Sequence, residues 1–130
     1  MPSHNLYALF RNAFGKHLER TAIETDEGAR YCFADLDQQS SRMACWLESL
    51  GVAPGDRVVV QVEKSVPALI FYLACLRSGV VYVPLNTAYQ SAELSYFLES
   101  AEPRLFVVDP AKAQALGELA ARLNVPHVAT

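Results

Sequence analysis

Apolar residues fall along this chain in two alternating patterns, short continuous runs and runs at helical spacing. Val58 to Val62 is a β-branched strand-like run. Val66 to Arg77 then places Val66, Leu69, Ile70, Leu73 and Ala74 on one helical face, and Val80 to Leu85 is again a buried strand. Ser91 to Ser100 aligns Leu94, Phe97 and Leu98, with Ala101 following, and leads to a strand over Leu105 to Val108. Asp109-Pro110 opens a last helix carrying Leu116, Leu119, Ala120 and Leu123, with proline in the first turn, where its missing N–H costs nothing. Val125 to Thr130 begins one more strand. Strands joined by single helices must run parallel and cross over in the right-handed sense. The pattern therefore predicts an α/β fold, a three-layer sandwich with a mainly parallel sheet.

Residues 1–52 read differently. Met1 to Leu18 is a helix with Leu6, Leu9, Phe10 and Ala13 as its packed positions. Ala22–Glu24 and Arg30–Phe33 flank a polar, glycine-containing loop and form an antiparallel hairpin. Asp35 to Leu50 is a helix with Leu36, Met43, Leu47 and Leu50 on one side, and Gly51 supplies its left-handed end. Val52 to Arg57 is a turn in which Pro54 fixes one backbone angle and Gly55 permits a positive one. This first part buries too little apolar surface to stand alone, so it packs on the strand–helix units of residues 53–130, and residues 1–130 form one sub-domain. A strand at Val125–Thr130 with no formal charge would leave an unprotected sheet edge, and the expectation is a fragment of something larger.

The chain has 130 residues, 52% of them hydrophobic and 19% charged, with a formal charge of −3. Basic and acidic residues are interspersed, so there is no footprint for nucleic acid. Cys32, Cys45 and Cys75 form no Cys-x-x-Cys pair and read as free, mostly buried thiols in a reducing compartment. His4, His17 and His127 have no metal-ligand spacing and read as surface or partly buried side chains. No apolar run approaches the length of a membrane span, which predicts a soluble cytoplasmic protein. Met1 to Leu18 contains Arg11 and Lys16 and no acidic residue, so a mitochondrial presequence is the alternative reading of that segment.

Ligands of a parallel sheet gather beyond the carboxyl ends of its strands, which directs attention to Glu63-Lys64-Ser65 and to Asn86–Gln90. Ser65 with Lys64 stands where a helix start could attract an anion, although capping its own helix is the simpler role of Ser65. Asn86, Thr87 and Tyr89 offer polar and aromatic groups, yet such residues commonly satisfy their own loop backbone. Glycines are too few for a phosphate-cradling loop, and Gly-x-Ser-x-Gly does not occur. Asp35 and Asp37 near a helix start point in different directions and favour the helix dipole. These residues alone support only part of a soluble α/β domain.

An ordered series of motifs adds to this. Tyr31-Cys32-Phe33-Ala34-Asp35-Leu36, Leu50-Gly51-Val52-Ala53-Pro54-Gly55-Asp56-Arg57-Val58 and Ala74-Cys75-Leu76-Arg77-Ser78-Gly79 running into Val83-Pro84-Leu85-Asn86-Thr87 resemble the N-terminal part of the adenylate-forming enzymes. That superfamily contains acyl-CoA synthetases, peptide-synthetase adenylation domains and luciferases. The resemblance extends from about Leu6 to Val128. Gln61-Val62-Glu63-Lys64-Ser65-Val66, Pro84-Leu85-Asn86-Thr87-Ala88-Tyr89 and Ala101-Glu102-Pro103-Arg104 look most like malonyl-CoA synthetases.

The resemblance implies an N-terminal fragment of an AMP-forming acid–thiol ligase of fatty acid metabolism. The parent would use ATP and Mg²⁺ to convert a small dicarboxylic acid such as malonate to an acyl-adenylate with release of pyrophosphate. It would then pass the acyl group to CoA. The family's phosphate loop with Pro-Lys-Gly, its Thr-Glu pair, its ribose-binding Gly-Asp and its mobile lysine have no counterpart in residues 1–130. No residue of this chain is therefore assigned a catalytic, cofactor-binding or metal-binding role, and the chain alone is expected to be inactive, with no ATP, Mg²⁺ or CoA bound. Arg77 and Arg104, tempting partners for a dicarboxylate, read as solvated surface charges. Uncovered surfaces predict self-association. The alternative from another class is a free-standing, non-catalytic α/β binding or interaction module.

Overall fold

Strand β3, Arg57–Gln61, is the organising element, because its β-branched residues have neighbours on every side. Val58 and Val59 are fully buried and Val60 nearly so. In the computed structural model, which describes residues 6–130, β3 pairs in parallel with β4 (Val81–Pro84) on one side and with β5 (Leu105–Val108) on the other. A third parallel ladder joins β5 to β6 (His127–Ala129), so the sheet order is β4-β3-β5-β6. Helix α3, Val66–Ser78, connects β3 to β4, α4, Ser91–Ala101, connects β4 to β5, and α5, Ala113–Arg122, connects β5 to β6.

Side chains of β3 alternate between the two faces of the sheet. Val58 and Val60 face α2 (Phe33–Ser49) and α3, packing with Leu47, Phe71, Ala74 and Cys75. Val59 faces α4 and α5, packing with Leu94, Leu98, Phe106 and Leu116. Helices thus cover both faces, and the three-layer sandwich with a parallel sheet is the observed fold.

The N-terminal part comprises α1 (Leu6–Phe14), the hairpin β1 (Thr21–Glu24) with β2 (Arg30–Cys32), and α2. Phe33, expected at the end of the hairpin, instead opens α2, because Cys32 is the N-cap with its N–H on the Asp35 carboxylate, and the Phe33 ring stacks on Phe14 at 5.2 Å between centroids. Met1 to Asn5, and with them His4 and the start of the expected first helix, lie outside the described residues.

Four expectations about the apolar pattern need correction. Helix α1 buries Tyr7 and Phe14, while Leu6, Leu9 and Phe10, expected in the packed face, are exposed, Leu9 at 60%. Tyr7 and Phe14 are seven residues apart and meet edge to face, and that aromatic pair decides which side turns inward. In α3, Leu69 faces outward, and Phe71 and Cys75 take the buried face with Ile70, Leu73 and Ala74. The run at Val80–Leu85 forms an edge strand rather than a buried one: among the described residues β4 pairs only with β3, and Val81 is 46% exposed. Pro84 at its end lacks an N–H, which an edge strand tolerates. Finally, Pro110 begins a 3₁₀ turn, Pro110–Lys112, ahead of α5 rather than the α-helix itself.

Turn chemistry follows the sequence closely. Gly51 ends α2 at φ 78°, Gly55 sits in its turn at φ 88°, and Gly79 caps α3 at φ 70°. The N–H of Gly55 bonds the Gly79 carbonyl at 2.9 Å, so the turn before β3 is tied to the turn before β4 and the two strands start in register.

Candidate functional site

Parallel pairing brings the carboxyl ends of β3, β4, β5 and β6 to one edge, where the segments Val62–Ser65, Leu85–Gln90 and Asp109–Lys112 emerge. Ser65 is the N-cap of α3: its Oγ accepts the Ala68 N–H at 3.1 Å, and Pro67 occupies the first turn. Glu63 and Lys64 are exposed side by side. The hydroxyl is thus committed to its own helix, the simpler of the two roles open to it from the sequence.

The loop after β4 is likewise turned on itself. Asn86 Oδ1 accepts the Ala88 N–H at 2.8 Å, and the Tyr89 ring stacks on Phe97 at 5.4 Å. The Thr87 carbonyl accepts Lys112 Nζ at 2.9 Å. Beneath the loop lies Gln61, the last residue of β3, which is fully buried. Its Nε2 donates to the carbonyls of Asn86 at 2.9 Å and Tyr89 at 3.2 Å. Asn86, Thr87 and Tyr89 are therefore brought to one edge, and each holds its own loop or is held by a neighbour.

On the opposite face of the sheet, between α2, α3 and the ends of β5 and β6, an apolar groove of about 500 Å³ is lined by Trp46, Val62, Phe71, Val107, Ala129 and Pro110, among others. Among the described residues, no group of three or more His, Cys, Asp or Glu side chains could hold a metal ion. The polar groups of the edge do not fit a Mg²⁺–triphosphate either, since Ser65 Oγ, Asn86 Oδ1 and Lys112 Nζ are used within the fold. Among the described residues, no helix is long and apolar enough to cross a membrane.

Of the two arginines expected on the surface, Arg104 is exposed and Arg77 is not. Arg77 is half-buried: its Nη1 donates to the Asp37 carbonyl at 2.9 Å and to Ser40 Oγ at 3.0 Å. Its guanidinium also lies 4.4 Å from the centroid of the Tyr7 ring. Asp37 accepts from Tyr7, pairs with Arg77 at 3.5 Å, and meets Arg11 Nε at 3.3 Å. Asp37 is thus the hub joining α1, α2 and α3, more than a dipole partner, while Asp35 caps α2 by accepting the Cys32 N–H at 2.9 Å. Burial, followed by the bond to Asp37, raises the Tyr7 hydroxyl pKa above its ordinary value. A polar helix face cannot be assigned a partner from spacing alone, which is why this cluster escaped sequence reading. Arg104 remains mostly exposed, 3.7 Å from Asp56, and far along the strands from the carboxyl edge.

Of the cysteines, Cys75 is buried and its thiol is pushed up to about 12 by desolvation, Cys32 is half-buried, and Cys45 is exposed rather than buried. Burial likewise raises the Tyr82 hydroxyl. His17 is exposed; His127 is half-buried, its Nε2 3.0 Å from the Leu50 carbonyl, which ties β6 to the end of α2.

Comparison with known proteins supplies what side-chain geometry alone does not. Residues 9–130 match the family described as AMP-binding enzyme. The medium-chain fatty-acid–CoA ligase of Escherichia coli (strain K12) is 33% identical over 88 residues, 68% of this chain and 16% of that protein. Malpinin synthetase of Mortierella alpina is 34% identical over 120 residues, 88% of this chain and 2% of that protein. The crystal structure of apo MatB from Rhodopseudomonas palustris shares 41% identity at a TM-score of 0.86, covering 95% of this chain and 25% of its own. Its ATP-bound form gives a TM-score of 0.85. The chain spans a quarter or less of the length of each of these relatives.

Proposed function

The chain belongs to the AMP-binding enzyme family, and from that premise we propose that it is the N-terminal sub-domain of an ATP-dependent, AMP-forming acid–thiol ligase. Its four-stranded parallel sheet has the architecture of that sub-domain in the adenylate-forming enzymes. The parent activates a small dicarboxylic acid, malonate, as its adenylate and transfers the acyl group to CoA. The observation that carries this reading is the 41% identity to R. palustris MatB, a malonyl-CoA synthetase, sustained over 95% of the chain. The resemblance of 61–66, 84–89 and 101–104 to malonyl-CoA synthetases supports the choice of acid. The coenzyme A ligase of E. coli supports the class of acceptor.

In this reading the chain contributes scaffold rather than reacting groups. Catalysis of adenylate formation needs oriented donors and cations around a polyanion. Here the polar groups at the carboxyl edge instead fix the loops: Ser65 caps α3, while Gln61 and Lys112 hold Asn86–Tyr89. The residues thus set the shape of the sheet edge against which the rest of a ligase would be built. ATP, CoA and Mg²⁺ belong to the parent.

The test is an acid panel. The polypeptide continued through its downstream reading frame should release AMP and pyrophosphate from ATP and CoA with malonate in preference to octanoate or benzoate. AMP release with octanoate but not malonate would move the protein to a different acid while leaving the ligase class in place. No AMP with any acid would contradict the class.

A further inference from the structure

Gln61 is the one buried side chain among the described residues with a polar atom left unmatched. Its side chain is fully buried at the end of the central strand, on the same face as Val59, and Oε1 has no hydrogen-bond partner. The orientation of the carboxamide is not arbitrary. Both amide hydrogens meet carbonyl oxygens, those of Asn86 and Tyr89, and reversing the group would set its own oxygen against both of them. Loop contact therefore requires the orphaned acceptor.

An unmatched buried acceptor opposes folding, and an apolar side chain of similar length at this place would not carry that cost. What Gln61 offers in exchange is local. The loop it grips has only a short internal bonding pattern, the Tyr89 N–H to the Asn86 carbonyl at 3.1 Å and the Ala88 N–H to Asn86 Oδ1. From the side of α5, Lys112 closes on the Thr87 carbonyl. Two donors from two different elements thus hold three carbonyls of one loop at the carboxyl edge of the sheet.

We propose that Gln61 is a positioning residue, which with Lys112 holds the Asn86–Tyr89 loop in a single conformation at that edge at the expense of overall stability. The proposal goes beyond the ligase reading and stands without it, because every group involved lies in this chain.

Hydrogen exchange on the 130-residue chain with Gln61→Met and Gln61→Glu tests it, with urea unfolding measured in parallel. In Gln61→Met, protection at the Ala88 and Tyr89 amides should fall at least tenfold, while Phe106 in β5 keeps its protection and the unfolding midpoint does not fall. Gln61→Glu adds a pH profile that a merely structural role would not produce. A buried protonated carboxyl can donate one hydrogen bond to a loop carbonyl, whereas a carboxylate can donate none. Loop protection in this variant should therefore be partly restored at pH 5 and lost as pH rises, with the original protein and Gln61→Met showing no such profile. Unchanged loop protection in Gln61→Met, equal loss at Ala88 and Phe106, or failure of both variants to fold would each overturn the assignment. If only Gln61→Glu fails to fold, the Gln61→Met comparison decides the matter.

Discussion

Arg77 of α3 donates to the backbone carbonyl of Asp37 in α2 at 2.9 Å and also pairs with its carboxylate, so one side chain joins two helices by two kinds of bond. Tyr7 of α1 completes the junction through the same carboxylate and by lying under the guanidinium. Removing the cation takes the Arg77 donor from the Asp37 carbonyl and from Ser40 Oγ, and leaves the half-buried Asp37 carboxylate to Tyr7 and Arg11. Arg77→Met should lower stability by about 2 kcal/mol in urea unfolding, since hydrogen bonds to charged groups are worth roughly 1.5–3 kcal/mol. Arg77→Lys should recover only part of this, because a compact, strongly hydrated ammonium does not replace the planar guanidinium lying over the Tyr7 ring. A loss below about 0.5 kcal/mol in Arg77→Met would mean that the junction is incidental.

Helix α1 offers a direct check on which of its faces is packed. Tyr7 and Phe14 are buried, while Leu9 is 60% exposed. Phe14→Ala should cost about 3 kcal/mol, in the range for buried aromatic truncation. Leu9→Ala should change stability by no more than about 0.5 kcal/mol, as exposed substitutions do. The reverse ranking would place the Leu6, Leu9 and Phe10 face inside.

Cysteine reactivity should follow burial. With the Cys75 thiol pushed up to about 12, almost none of it is ionised at pH 8 in the folded protein. Native-state alkylation at pH 8 should label the exposed Cys45 first, then Cys32, and Cys75 only on unfolding. The same shift has a stability consequence. The folded chain keeps the Cys75 proton that the unfolded chain releases, so stability is full below about pH 9, the ordinary thiol value, and falls as pH rises from there towards 12. Tyr7 and Tyr82, both raised, act in the same direction at higher pH. Cys75→Ala should flatten the decline above pH 9, and an unchanged slope would show that other groups control it.

Gly79 should resist substitution. Its φ of 70° is left-handed, and an added Cβ would stand 3.4 Å from Pro54 Cβ. Gly79→Ala should cost about 1–2 kcal/mol from backbone strain at the α3 cap, whereas Gly117→Ala, in open space within α5, should be neutral or stabilising by up to about 1 kcal/mol. Equal effects at both positions would remove the argument from the cap.

Much of this architecture was legible in the residues. Each strand from Val58 onward and each intervening helix was visible in the change between continuous and helical apolar runs, and Gly51 and Gly55 mark turns that take a positive φ. Position within the sheet was not legible. Val58–Gln61 and Val81–Pro84 are similarly apolar, yet one strand is central and the other an edge, because strand order depends on the path of the crossovers rather than on the run itself. Leu9 and Leu69 show the same limit for helices: both fit an apolar stripe, and their exposure was decided by larger neighbours, Phe14 in one case and Phe71 in the other. The polar contacts of Arg77 and Gln61 were hidden for a different reason. Their partners lie on separate elements, 40 residues away for Asp37 and 25 for Asn86, and spacing carries no information about such pairs.

The most direct measurement compares AMP production from ATP, malonate and CoA by two polypeptides, residues 1–130 alone and the same chain continued through its downstream reading frame. The shorter one should produce no AMP above background, and the longer one should turn over with dependence on all three substrates. Turnover by residues 1–130 alone, or none by the longer chain with any carboxylic acid, would contradict the assignment of this sheet as the scaffold of a ligase.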